Sequence, residues 1–229
     1  PDIFIVIGFK MLGEELLKIS KYGAINLHPS LLPKYRGAAP IQWALINGDN
    51  LTGVSIFKMN TSLDTGDIFI KQEVPILKND NFNSLSKKLS KIGSQLIIDT
   101  LNIIDGNDFK LIKQDSKLVS KAPKISKSMT KINWEWSAEK IHNLVRGLSY
   151  LGMRTQIKEK SIRIFKTSLI ESNSNAPAGT VILRSKNKLL VASGQGVIGI
   201  DELQADAKKK MPISEFLNGF NIRKGDLFC

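Results

Sequence analysis

The chain contains very little cysteine and histidine. Its 229 residues include one cysteine, Cys229, and two histidines, His28 and His142. A single cysteine excludes an internal disulfide framework and a cysteine-based metal site, and it favours a reducing, cytoplasmic environment. Two histidines argue against a dedicated metal centre, so we expect no bound metal.

Long apolar runs and a targeting segment are also missing. No apolar run reaches the roughly 18–20 residues that a membrane-spanning helix needs, so we expect no membrane partner. The chain opens at Pro1 and enters an apolar run without a preceding basic segment, which is unlike a signal peptide. We interpret this opening as a core strand, and we expect the first domain to be incomplete at its N-terminus.

Acidic residues are scarce in the second half of the chain. The net charge is +12. Residues 1–120 carry 14 Lys and Arg against 12 Asp and Glu, a net of +2, whereas residues 121–229 carry 19 against 9, a net of +10. A basic module beside a near-neutral one favours a polyanionic partner such as nucleic acid, although surface lysines in a lysine-rich protein need carry no such meaning.

The first half alternates strand and helix patterns. We predict strands at 2–8, 24–27, 54–59 and 67–74, and helices at 14–20, 40–47 and 82–104. The first strand is β-branched and aromatic throughout, which is typical of a parallel strand covered on both faces. This alternation indicates a layered α/β domain over residues 1–112.

The second half has a different pattern. Residues 113–131 are rich in Lys and Ser with little periodicity, and we interpret them as a linker. A helix is predicted at 138–147, followed by strands at 154–157, 161–169, 179–184, 188–193 and 196–203. Five short strands separated by tight turns indicate a small antiparallel barrel, which places a second domain at residues 132–229.

Two polar clusters in the first domain contain residues suited to acyl transfer onto an amine. Asn26 and His28 stand at the end of a predicted strand, and Asp64 lies in the turn-rich segment 60–66. An amide donor stabilises a developing oxyanion, and an imidazole accepts a proton near neutral pH. Asp64 would orient His28, hold it cationic or position a water. Each residue also has a structural interpretation: a strand-end histidine, a turn aspartate and a backbone-capping asparagine.

The run Asn26-Leu27-His28-Pro29-Ser30-Leu31-Leu32-Pro33 resembles the signature of the 10-formyltetrahydrofolate-dependent formyltransferases. The continuation at residues 34–43 (KYRGAAPIQW) is similar to the methionyl-tRNA branch of that family, as are residues 63–67 and 122–125. The resemblance implies a Rossmann-like formyltransferase domain followed by an OB-like barrel that binds tRNA. It also implies that Asn26, His28 and Asp64 are the catalytic set.

The resemblance further implies two co-substrates, 10-formyltetrahydrofolate and initiator methionyl-tRNA. We expect the enzyme to be a monomer. Residues expected at the folate site are Ile7, Phe9, Leu12, Met59, Leu63 and Asp67. Residues expected to bind the acceptor are Ser30, Leu31, Leu32, Pro33, Arg36, Lys208, Lys209 and Lys210.

The resemblance leaves alternatives open. A relative with the same chemistry would use a nucleotide-sugar amine or water as acceptor, and an inactive RNA-binding fragment would keep the fold alone. The first βαβ segment of the family is not recognisable in the chain. We therefore expect an apolar, unpaired edge strand.

Overall fold

The computed structural model describes residues 1–8, 11–107 and 109–229. The chain divides into two compact units. The first consists of Pro1–Ala44, Asp49–Asp80 and Ser84–Ile125, and the second of Leu45–Gly48, Asn81–Asn83 and Ser126–Cys229. No helix among these residues has both the length and the apolar character needed to cross a bilayer.

The first part of the chain forms a four-stranded mixed sheet with helices. Its elements are β1 (Phe4–Ile7), α1 (Glu14–Ile19), β2 (Ala24–His28), α2 (Pro40–Ile46), β3 (Leu51–Lys58), β4 (Ile68–Pro75) and α3 (Phe82–Asp105). The strand order is β1-β2-β3-β4, with β1 parallel to β2 and the other two pairs antiparallel. The predicted α/β class is confirmed, and each predicted strand and helix of this half lies within a few residues of an observed one.

Close packing of helix α3 on strand β2 determines which face of the strand carries the polar residues. A Cβ placed on Gly93 of α3 would stand 2.4 Å from Cδ1 of Leu27, so the helix approaches the strand closely only because this residue is glycine. Successive side chains of a strand point to opposite faces. Leu27 therefore faces α3, and Asn26 and His28 face the other side of the sheet.

Strand β1 differs from the expectation of a strand covered on both faces. Ile5 and Ile7 are 46% and 61% exposed, and helix α1 has no buried residue. The difference arises because β1 pairs with β2 alone among the described strands, so its outer edge and one face lack a covering element. The expected apolar edge strand is therefore present.

The second unit is built on an antiparallel sheet. Its elements are α4 (Ala138–Gly147), β5 (Met153–Ile157), β6 (Lys160–Ile170), β7 (Val181–Arg184), β8 (Leu189–Ala192), β9 (Val197–Ala205), β10 (Met211–Pro212) and α5 (Ile213–Gly219). The strand order is β5-β6-β9-β8-β7, and β10 pairs with β9. The predicted helix and five strands are confirmed; β10 and α5 were not predicted.

The last residues of the chain connect the two edges of this sheet. Phe228 pairs with Ile157 of β5, and Leu227 pairs with Thr180 immediately before β7. These bridges close the strands into a barrel, as the alternation of short strands and turns predicts. Its interior is aliphatic, with Ile162, Ile164, Val191 and Ile198 all fully buried.

Candidate active site

Strand β2 holds two of the three predicted catalytic residues. Asn26 pairs in register with Val6 of β1 and Phe57 of β3, and His28 pairs with Ser55 of β3. Because they are two residues apart in a strand, their side chains project from the same face of the sheet. Asn26 is half-buried and His28 is buried.

One hydrogen bond determines which nitrogen of His28 is free. Nε2 lies 2.8 Å from the carbonyl oxygen of Tyr35. A carbonyl can only accept a hydrogen bond, so Nε2 carries the proton and Nδ1 of the neutral ring has an available lone pair. Tyr35 is itself held in place, because its N–H donates to Ser120 Oγ over 2.8 Å and its hydroxyl donates to Asp49 Oδ2 over 2.7 Å.

The free nitrogen of His28 faces the carboxylate of Asp64. Nδ1 is 3.8 Å from Asp64 Oδ2, beyond hydrogen-bonding distance but close enough for a strong charge interaction when the ring is protonated. Burial lowers the pKa of His28 below its ordinary value, while the negative charge of Asp64 and the bond to Tyr35 oppose that shift. His28 is therefore neutral near pH 7 and equipped to accept a proton on Nδ1.

Asp64 is positioned by backbone groups on both sides. It adopts a left-handed conformation with φ 53°, and its Oδ2 accepts a hydrogen bond of 2.8 Å from the N–H of Gly37. Gly37 has φ +126°, and a Cβ on it would stand 2.6 Å from the carbonyl oxygen of Ala122. Only glycine fits at this position. The loop of residues 29–37 after β2 therefore contacts Asp64 through the backbone N–H of a residue that has no side chain.

The amide of Asn26 has an unsatisfied oxygen. Its Oδ1 is buried and has no hydrogen-bond partner among the described residues. A buried polar atom without a partner is costly, by about 1–3 kcal/mol, and such atoms concentrate where a ligand completes the site. Rotation of the amide exchanges its oxygen and NH₂ group, so this position can present either an acceptor or a donor. The site therefore has a place for a polar group of a substrate beside His28.

The residues predicted for the folate site lie near the ends of β1 and β3. Ile7 and Leu12 line an open apolar depression of about 300 Å³ beside β1, and Leu63 is 52% exposed. Met59 packs against a buried cluster of Leu32, Phe57 and Ile68. Asp67 is half-buried and its carbonyl accepts a bond from Lys58 N–H. Phe9 lies outside the described residues.

The residues predicted to contact the acceptor have several different environments. Ser30 is fully buried and donates to the carbonyl of Lys34 over 2.6 Å, and Leu32 is 1% exposed within the apolar cluster. Pro33 is also buried, whereas Leu31 and Arg36 are half-buried. Ser30, Leu32 and Pro33 are thus inside the protein, where they shape the loop that carries Tyr35 to Gly37.

The three predicted lysines lie in the second unit, between β9 and β10. Lys208, Lys209 and Lys210 are all exposed. Lys210 forms an ion pair of 2.8 Å with Glu202 and lies over the ring of Phe165, 5.0 Å from its centroid. Lys208 and Lys209 have no ion pair among the residues that the structure describes. These two cations are therefore available to an anionic partner.

The sequence analysis missed a group of residues that holds the site together from outside the two clusters. Residues 112–122, which we call the strap, run from a bridge between Ile112 and Ile68 to a bridge between Lys121 and Arg36. The strap was predicted as linker, but contacts place it with the first unit, which extends to Ile125. Its polar side chains include Gln114 and Ser120. They carry no periodic signal, and only the resemblance at 122–125 pointed to this region.

Comparison with known proteins identifies the chain with one family. A sequence model described as formyl transferase matches residues 1–101, and one described as formyl transferase, C-terminal domain, matches residues 124–221. The methionyl-tRNA formyltransferase of Caldicellulosiruptor saccharolyticus is 41% identical over 99% of this chain and 74% of that protein. The protein of that name from Thermodesulfovibrio yellowstonii is 42% identical over 98% and 72%.

Solved structures share the fold at lower identity. HypX from Aquifex aeolicus in complex with tetrahydrofolic acid superposes with a TM-score of 0.72 at 20% identity, over 99% of this chain and 42% of that one. The sugar 3N-formyl transferase WlaRD gives 0.69 at 24% identity, over 90% and 73%. Identity near 40% across both units places this protein in the methionyl-tRNA formyltransferase family.

Proposed function

We propose that the protein transfers a formyl group from 10-formyltetrahydrofolate to the α-amino group of methionine on initiator tRNA. The observation that carries this proposal is the position of His28, whose Nδ1 faces Asp64 at 3.8 Å and whose side chain lies on the same strand face as the amide of Asn26, with its unsatisfied oxygen. The co-substrate supplies the formyl carbon, and the chain supplies a proton acceptor and a polar group for the carbonyl oxygen.

The reaction forms one bond and breaks one. The amine nitrogen bonds to the formyl carbon, the bond from that carbon to N10 of the folate breaks, the amine loses a proton, and N10 gains one. An aminoacyl amine has a pKa of about 8 or below, so a useful fraction is uncharged near pH 7 and a strong base is not required. His28 is then suited to accept the amine proton on Nδ1.

Asp64 and Asn26 stabilise the charges that develop during transfer. The carboxylate of Asp64 stabilises the imidazolium that forms when His28 accepts a proton. Asn26 donates from its amide to the carbonyl oxygen as negative charge develops there, a type of interaction whose loss costs about 10²–10³ in rate. Ile7 and Leu12 line the apolar depression beside β1, and Leu63 exposes an apolar side chain, so each offers the kind of surface that suits the face of a flat pterin ring.

The basic second half supports tRNA as the acceptor. Its net charge is +10 over residues 121–229, and Lys208 and Lys209 extend into solvent. Phosphate contacts by lysine dominate the affinity of proteins for nucleic acids. We propose that the barrel holds the tRNA through such contacts. We also propose that the protein acts as a monomer in the cytoplasm, where its single thiol at Cys229 would remain reduced.

Formylation of methionyl-initiator tRNA with 10-formyltetrahydrofolate tests the proposal directly. We expect transfer by the unaltered protein and a loss of about 10²–10⁴ in rate for His28→Ala, the usual contribution of a general base. The control is His142→Gln in the second unit, which leaves the site unchanged. Circular dichroism should show that both variants remain folded.

Three outcomes would contradict the proposal or its catalytic assignment. Formylation of a nucleotide-sugar amine with no formylation of the tRNA would assign the protein to another acceptor within the same chemistry. Equilibrium binding of the tRNA without any transfer would assign it to RNA binding alone. A His28→Ala variant with unchanged turnover would show that the catalytic assignment is wrong.

A further inference from the structure

Gln114 is a residue of the strap whose side chain joins the two loops of the active site. Its Nε2 donates to the carbonyl oxygens of Asp64 over 3.0 Å and Gly66 over 2.8 Å. Its Oε1 accepts from Arg36, over 3.1 Å to Nε and 2.7 Å to Nη2. One amide thus binds the segment that carries Asp64 and the loop that carries Gly37.

The chemistry of these four bonds requires a primary amide at position 114. Two carbonyls need a group with two N–H donors, and a guanidinium needs an acceptor. Glutamate would place a carboxylate against both carbonyls, and lysine would offer no acceptor to Arg36. The bonds also determine the orientation of the amide, because the flipped form would set NH₂ against the guanidinium.

The position of Asp64 depends on this amide. Asp64 has a left-handed backbone, which is uncommon for residues other than glycine, although aspartate adopts it more often than most. Within the described chain its carbonyl is bonded by Gln114 and its carboxylate by Gly37. Since Gly37 follows Arg36 directly, both restraints on Asp64 are linked through the Gln114 amide.

We propose that Gln114 is a positioning residue for formyl transfer, which fixes the backbone of Asp64 against the Arg36–Gly37 segment so that the carboxylate stays beside Nδ1 of His28. The effect of Gln114 on the rate of formyl transfer can be expected only if the proposed function is correct, so this part of the inference rests on that function. Its structural consequence, the distance between Asp64 and His28, is measurable whether or not the protein transfers formyl groups.

The kinetic test compares Gln114→Met with Lys117→Met. Methionine nearly matches the volume of glutamine and removes all four hydrogen bonds, whereas Lys117 is an exposed strap residue without an ion pair in the described structure. A misplacement of about 1 Å at a catalytic group costs up to about 10²-fold in rate. We expect kcat to fall by about tenfold to a hundredfold in Gln114→Met, with KM for the folate changed less than about threefold, and Lys117→Met to behave as the unaltered protein.

The structural test is the NMR titration of His28. With two histidines in the chain, a His142→Gln background leaves His28 as the only imidazole. Asp64 favours the protonated form of His28, so a carboxylate that moves away lowers the pKa of that ring further. We expect the midpoint for His28 to shift to lower pH in Gln114→Met and to stay in place in Lys117→Met.

Turnover within twofold of the unaltered protein, together with an unchanged His28 midpoint, would overturn the role of Gln114. A lower melting temperature with no shift of the midpoint would also overturn it, because that result assigns Gln114 to stability alone. Absence of transfer by the unaltered protein would reject the proposed function, while the His28 titration would still decide whether Gln114 positions Asp64.

Discussion

Replacement of Asp64 by asparagine isolates the charge that faces His28. Asparagine keeps an oxygen that can accept the bond from Gly37 N–H, so the loop retains its anchor while the negative charge disappears. Any change in the titration of His28 then reports the electrostatic coupling between the two residues. The substitution is therefore sharper than Asp64→Ala, which removes the charge and the anchor together.

The size of the effect follows from the distance. Two unit charges 3.8 Å apart interact by roughly 4 kcal/mol at an effective dielectric constant near 20. The side chains of His28 and Asp64 are only 5% and 8% exposed, so solvent screens the pair weakly. Because the asparagine dipole and local relaxation recover part of this interaction, we expect the pKa of His28 to fall by less than the full charge interaction would give.

The pKa of His28 should move downwards in Asp64→Asn, and both enzyme kinetics and NMR can measure the change. Removal of a nearby negative charge destabilises the imidazolium, so the pKa of His28, already lowered by burial, falls further. The value of kcat/KM rises with pH as His28 loses its proton, and this rise should move to lower pH together with the pKa of His28. The plateau at higher pH should also be lower, because the imidazolium that forms when His28 accepts the amine proton is less stable without the charge of Asp64. NMR titration in a His142→Gln background measures the same pKa without turnover. A His28 midpoint in Asp64→Asn that is unchanged, or that moves to higher pH, would refute this account of the pair.

Three further predictions concern other parts of the chain. Gly37→Ala should lower the stability of the first unit by roughly 2–3 kcal/mol in chemical denaturation and nearly abolish transfer. The reason is that the new Cβ would stand 2.6 Å from the carbonyl oxygen of Ala122, at a left-handed φ. Unchanged stability would contradict this prediction, because it would mean that the strap can move to make room for the Cβ. Burial, helped by Arg146 and opposed by the contact with Thr167, lowers the pKa of His142 to about 4, below the usual value near 6.5. As the pH falls, the unfolded chain therefore gains a proton on His142 before the folded chain does. The second unit should lose about 2 kcal/mol of stability between about pH 6.5 and pH 4, after allowance for the partial exposure of His142, and His142→Gln should remove that loss in thermal melts. The same pH dependence in the variant and the unaltered protein would show that His142 is not its source. The double variant Lys208→Ala/Lys209→Ala should bind tRNA more weakly, and the slope of its log K against log salt concentration should be reduced by about 1–2. The control variant Lys87→Ala, on the exposed side of α3, should change neither the affinity nor the slope. Equal slopes in the two variants would exclude Lys208 and Lys209 as phosphate contacts.

Local pattern was sufficient to predict most of the secondary structure and the placement of Asn26 and His28 on one face of a strand. Helix α3 has apolar residues at helical spacing, and its observed buried positions include Leu85, Leu89 and Leu96. Asn26 and His28 are two residues apart at a strand end, which alone places them on one face. Such patterns depend on residues close in the chain, so a single sequence carries them.

Two features were decided by tertiary structure alone. The tautomer of His28 depends on the Tyr35 carbonyl, whose position is set by a bond to Ser120, 85 residues away in sequence. The second feature is the pairing of the chain end, in which Phe228 bridges to Ile157 of β5.

The strap shows why these features escape sequence reasoning. Gln114 belongs to a Lys- and Ser-rich stretch that has no periodicity and therefore the pattern of a linker. Its hydrogen bonds reach 50 residues back to Asp64 and 78 residues back to Arg36. The sequence by itself determined most of the strands and helices and placed Asn26 and His28 on one strand, because residues close in the chain encode these features. Only the folded chain decided how those side chains are oriented, because that depends on backbone groups brought together from distant segments.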